Sequence, residues 1–165
     1  MAKERLSAAT FVTSGYGQVE PNHLSGQKTG RLYAQLPLGI DKLENGQFAK
    51  YDYANNEVNL TGDGEWFLHY SEVKVYDARE TDEDFVITKG GVNPRLYGTL
   101  EGDIYTTNTV KGTAETLEEG KILTVGEDGF LAVNESPAET DMQWQIAKVY
   151  TMPDGQPGVK LVRVK

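Results

Sequence analysis

QWQIAKVYTMPDGQPGVKLVRV, residues 143–164, holds two runs of strand-forming residues, 143–150 and 158–164, on either side of Pro153-Asp154-Gly155. Asp-Gly supplies the positive φ that a tight hairpin needs, so the stretch predicts two antiparallel strands and the turn between them. The same grammar extends outward through the chain. Glu127-Asp128-Gly129 and Gly62-Asp63-Gly64 are further turn signals between short apolar runs. RLYAQL (31–36) alternates Leu32, Ala34 and Leu36, and GQFAKYDY (46–53) sets Phe48, Lys50 and Asp52 against Ala49, Tyr51 and Tyr53. In EWFLHYSEVKVYD (65–77) the apolar face is Trp66, Leu68 and Tyr70, then slips by one residue to Val73 and Val75. That slip predicts a bulge or bend near Ser71–Glu72. No stretch of ten or more residues carries a capped helical stripe, and a single turn around Thr113–Glu119 comes nearest. The expected fold is all-β, a short-stranded barrel or sandwich.

Composition narrows the chemistry. The chain has 165 residues, no Cys, two His, 16 Lys+Arg and 25 Asp+Glu, for a formal net charge of −9. Without Cys there is no disulfide framework, no thiolate nucleophile and no sulfur-ligated metal site. Two His, His23 and His69, are a poor supply for a His-built metal cage. The acidic balance argues against nucleic acid as a partner, because neutralising phosphates takes clustered Lys and Arg. Apolar runs are only a few residues long, too short for a membrane span or a secretory signal. No P-loop, dinucleotide fingerprint, G-x-S-x-G elbow or H-E-x-x-H motif is present. These readings predict no catalytic residues, no cofactor and no membrane partner.

The charge is uneven along the chain. Residues 1–40 carry four basic and two acidic side chains, and residues 41–165 carry twelve basic and 23 acidic ones. The first part shows no sustained period of two or 3.6, so residues 1–30 are expected to form an extended N-terminal arm that orders against a partner. Its anchor-sized side chains are Phe11, Val12, Tyr16 and Leu24. Deleting residues 2–30 should, on this reading, leave the body's fold nearly unchanged.

A recurring phrase, L-E-x-G-x-apolar, appears at Leu43–Phe48 and Leu117–Ile122, with a shortened echo at Leu100–Ile104. It reads either as the usual look of a turn entering a strand or as the trace of two small β-modules, 31–80 and 81–165. Five carboxylates crowd into Asp77–Asp84 without the alternating ligands and central Gly of a calcium loop, so a solvated acidic connection is expected there. His69 is expected to be a half-buried strand histidine. Trp66, Phe67, Tyr70, Tyr51 and Tyr53, in adjacent expected strands, would suit a stacking platform for sugar rings, though aromatics also favour strands simply by filling pleated surfaces.

Four phrases taken in order, LPLGIDKLENGQFAKYD, PRLYGTLEGDIYTTNTV, LEEGKILTVGEDGFLAV and QWQIAKVYTMPDGQPGVKLVRV, resemble those of the capsid decoration, or cement, proteins of tailed bacteriophages. The likeness spans residues 31–165 and includes the G-D-x-[FY]-T-T-N phrase at Gly102–Asn108. It implies a virion structural protein without enzymatic activity, made in the host cytoplasm and bound to the outer surface of an assembled capsid. The partners implied are the major capsid protein and further copies of the chain, as a homotrimer. Arg5, Phe11, Val12, Tyr16, Leu24, Lys28 and Arg31 are then the expected capsid contacts. A carbohydrate- or receptor-binding module of a virion fibre is the alternative reading.

Overall fold

The computed structural model describes residues 5–7, 9–12, 15–25, 36–62, 64–71 and 85–165. Lys28, Arg31, most of the expected strand 31–36, the phase slip beyond Ser71 and the acidic stretch 77–84 lie outside them.

The fold is all-β. Its strands are β1 Val19–His23, β2 Lys42–Leu43, β3 Phe48–Asp52, β4 Glu57–Asn59, β5 Phe67–His69, β6 Ile87–Thr88 and β7 Leu96–Tyr97. The later ones are β8 Ile104–Thr107, β9 Val110–Lys111, β10 Ile122–Val125, β11 Leu131–Val133, β12 Gln143–Thr151 and β13 Pro157–Arg163. A seven-stranded sheet has the order β1-β8-β13-β12-β10-β11-β9, a four-stranded one β4-β3-β5-β7, and β2 pairs with β6. Pairing is antiparallel except between β11 and β9. The 143–164 hairpin forms as expected, with Gly155 at φ 90°.

Chain connectivity bends the large sheet. β8 and β9 lie five positions apart in its order, which in a flat sheet is ~24 Å. Only Asn108 and Thr109 join them, so Thr107 and Val110 are within ~11 Å of each other. The sheet therefore curls until its two ends face across a seam, and it stays open as an unclosed barrel.

Inside the curl sits the larger core, built around Trp144, which is fully buried. Tyr105 meets the Trp144 ring edge-on at 5.0 Å and Phe48 meets it at 6.0 Å. β3 and β5 cover this core and face a second one on their other side. Phe48 and Leu68 enter the first core, while Ala49, Tyr51 and Phe67 enter the second with Leu43, Val58, Ile87 and Leu96. A strand between two cores is buried on both faces, which is why Phe67, Leu68 and His69 are all buried in succession.

Neither sheets nor cores divide at residue 80. β6 and β7 pair back onto β2 and β5, and the break between sheets falls between β7 and β8. The L-E-x-G phrases share one local structure: Gly46, Gly102 and Gly120 have φ of 90°, 89° and 87° and turn the chain toward β3, β8 and β10. Positive φ at these positions suits Gly, so the phrase marks a turn entering a strand.

Candidate functional site

The seam of the large sheet is occupied by the N-terminal leader. At one side, Thr10 bridges to Lys111 of β9, Phe11 N–H donates to Val110 O at 2.6 Å, and Gly112 N–H donates to Ala9 O at 3.1 Å. At the other, β1 pairs antiparallel with β8. One short segment thus covers both ends of the curled sheet, where unpaired edges would otherwise invite association.

Its dock is the Gly102–Asn108 phrase, residue by residue. Asp103, 2% exposed, accepts Ser25 N–H at 3.0 Å and Ser25 Oγ–H at 2.8 Å. Thr106 Oγ donates to Asn22 Oδ1 at 2.7 Å, and Thr107 Oγ donates to Gln18 O at 2.6 Å. Asn108 accepts Gln18 N–H at 2.8 Å and donates to Tyr16 O at 3.0 Å and Gln156 Oε1 at 2.8 Å. Tyr105, the remaining large residue, points into the core. Four consecutive buried polar residues, Thr106 to Thr109, are affordable only because each of these groups has a hydrogen-bond partner.

The leader's start is fixed by a buried ion pair. Arg5 Nε donates to both Glu44 carboxylate oxygens at 3.0 and 3.1 Å, and Nη2 donates to Oε2 at 3.1 Å and to Thr109 Oγ at 2.9 Å. The two side chains are 0% and 5% exposed. Glu44 also accepts Leu6 N–H at 3.2 Å. Thr109 passes the network on by donating to Asn45 O at 2.7 Å. Gly17 crosses the same point so closely that a Cβ there would stand 2.2 Å from Asn45 O.

Beneath Glu44 lies His69, expected half-buried and found fully buried. Its Nδ1–H donates to Glu44 O at 2.6 Å, so Nε2 accepts Ser71 Oγ–H at 2.9 Å. Ser71 Oγ in turn accepts Arg95 N–H at 3.0 Å. Desolvation holds the imidazole pKa down at about 4, against a smaller raising effect of the Glu44 carbonyl. A neutral carbonyl behind Nδ1 gives no charge to stabilise an imidazolium, so this Ser–His pair is a weak base near neutral pH. Among the described residues, no group of three or more His, Asp or Glu side chains is placed to hold a metal ion.

The expected contact residues therefore separate into two kinds. Arg5 and Leu24 are buried, Leu24 at 1% exposure in the core around Trp144. The expectation that they reach a partner gives way, because their side chains are already enclosed by the body. The same burial corrects the expectation that residues 2–30 can be deleted without harm to the fold. Phe11, Val12 and Tyr16 are half-buried and keep outward surface. Phe11 and Ala9 form one wall of a groove of about 810 Å³ whose other wall includes Ala114, Ala132 and Val133. Leu6, 39% exposed, lies beside Ile40 and Leu60 at the leader's beginning.

No family model, curated protein or solved structure matches this chain.

Proposed function

We propose that this protein is a capsid decoration protein, a non-enzymatic adhesive subunit that binds the outer surface of an assembled phage head and stabilises it. The major capsid protein is its partner, and it acts as a homo-oligomer, a trimer in the form the sequence resemblance suggests. The observation that carries this reading is the built leader: anchored at Arg5 and Leu24, pinned across both ends of the sheet, and presenting Ala9 and Phe11 on an apolar groove. A cement subunit must transmit load from its contact residues into its own core without unfolding. A leader hydrogen-bonded to two sheet edges and tied by a buried Arg–Glu pair offers such a path. The formal charge of −9 opposes premature self-association in solution. Because the leader is already ordered in the free subunit, binding costs little ordering entropy.

The test is co-sedimentation of the purified protein with expanded and unexpanded heads of the phage that encodes it, comparing wild type with Ala114→Asp, which charges the groove at an exposed position. Binding of wild type to expanded heads, lost in Ala114→Asp at unchanged thermal stability, supports the reading. Failure of wild type to bind either head form refutes it.

A further inference from the structure

A second surface is built differently from the leader. Where Lys50 of β3, the segment before β5, β10 and the end of β13 meet, there is an open cleft of about 600 Å³. That is the size range of small-molecule sites. Its apolar floor is Trp66, Val125 and Met142, each packed on the main core on one side and only half-buried on the other. Its rim is charged, with Glu101, Glu139 and Lys165 exposed on it.

We infer that this cleft binds a neutral oligosaccharide, with a pyranose ring stacked on Trp66 and its hydroxyls hydrogen-bonded to the rim. The C–H face of a pyranose is weakly polar and matches an indole, whereas its edge carries hydroxyls that both donate and accept. Carboxylates at Glu101 and Glu139 accept from such hydroxyls, and the Lys165 ammonium donates to them. The lining holds the carboxylates Glu65, Glu101, Glu139 and Asp141 and the cations Lys50, Arg163 and Lys165, so neither sign of charge is strongly favoured in the ligand. That mixture suits an uncharged sugar better than a phosphate-bearing one. Arg163 stiffens the wall: Nη1 donates to Glu65 Oε1 at 3.2 Å and to Thr99 Oγ at 2.8 Å. The Lys50 ammonium sits 4.6 Å from the Trp66 ring centre and donates a long hydrogen bond of 3.4 Å to Gly62 O. A flexible lysine in that position is a displaceable cover, and swinging aside it becomes another donor to the sugar edge.

The two tryptophans make the test direct, since Trp144 is fully buried and Trp66 lines the cleft. The full-length protein is screened on an array of neutral hexose and N-acetylhexosamine oligosaccharides, and any hit is titrated while the indole N–H resonances are followed by NMR. The expected result is saturable movement of the Trp66 resonance with Trp144 stationary. Trp66→Ala should weaken the hit about tenfold or more, as loss of an aromatic anchor does. Silence across the array overturns the inference, as does a hit that leaves Trp66 unmoved or that survives Trp66→Ala. Head binding by Trp66→Ala is measured alongside. The cleft does not depend on the capsid reading, and retained head binding shows that the two surfaces act separately.

Discussion

Replacing Arg5 by Met removes four donated hydrogen bonds and leaves the Glu44 carboxylate, 5% exposed, with Leu6 N–H as its remaining partner from the leader. Breaking one side of a buried ion pair costs about 3–5 kcal/mol, because the surviving charge stays buried without compensation. For a chain of this size each kcal/mol moves Tm by about 2–4 °C, so Arg5→Met should lower Tm by roughly 6–20 °C. Replacing both partners, Arg5→Met with Glu44→Met, removes the stranded charge and should restore most of that loss. Among the described residues Arg5 Nη1 is buried with no hydrogen-bond partner, so the native pair is itself imperfectly satisfied and an apolar pair gives up less than the donor count suggests. The assay is equilibrium urea unfolding followed by far-UV circular dichroism on both single variants and the double. A strong positive coupling energy, of about 2 kcal/mol or more, is expected. A loss below about 1 kcal/mol in Arg5→Met would refute the claim that the leader belongs to the cooperative fold.

Other perturbations read the same architecture from different sides. Leu24→Ala, a truncation inside the Trp144 core, should cost about 2–5 kcal/mol in the same urea experiment. Gly17→Ala places a methyl 2.2 Å from Asn45 O, a backbone atom that cannot rotate away, and should destabilise by about 1–3 kcal/mol while loosening residues 15–18 in hydrogen exchange. His69 has its folded pKa lowered to about 4 from an unfolded value near 6.5, so the unfolded chain binds the extra proton between those limits. Its contribution is whole above pH 6.5 and is lost as pH falls toward 4, to a total of about 3 kcal/mol. Urea midpoints for wild type and His69→Gln across that range should converge as pH falls, and parallel curves would contradict the assignment.

What could be read from sequence was local. The 143–164 hairpin is legible because alternation and an Asp-Gly turn both act within a few residues of each other. Phe48, Ala49 and Tyr51 were placed on alternate faces for the same reason. The leader's order is not legible in the sequence because it comes from far along the chain: Arg5 meets Glu44 39 residues away and Thr109 104 away. No periodicity records such pairings, and a segment of mixed polarity with four glycines then looks unstructured. The Gly102–Asn108 phrase stands out in the sequence, but its polar residues declare their purpose only once β1 lies beside them. His69 is more buried than alternation predicts because β5 is walled by two cores, whereas alternation assumes one buried face and one wet one.

Hydrogen exchange of the free subunit, read at the Phe11, Gln18 and Gly112 amides, decides whether the leader seals the curled sheet. Their acceptors are Val110 O, Asn108 Oδ1 and Ala9 O. Protection comparable to that of the β13 amides, lost only with global unfolding, is the expected outcome. Exchange at the rate of an unstructured chain at all three would mean that the seam is empty in solution, and with it the load path on which the adhesive role rests.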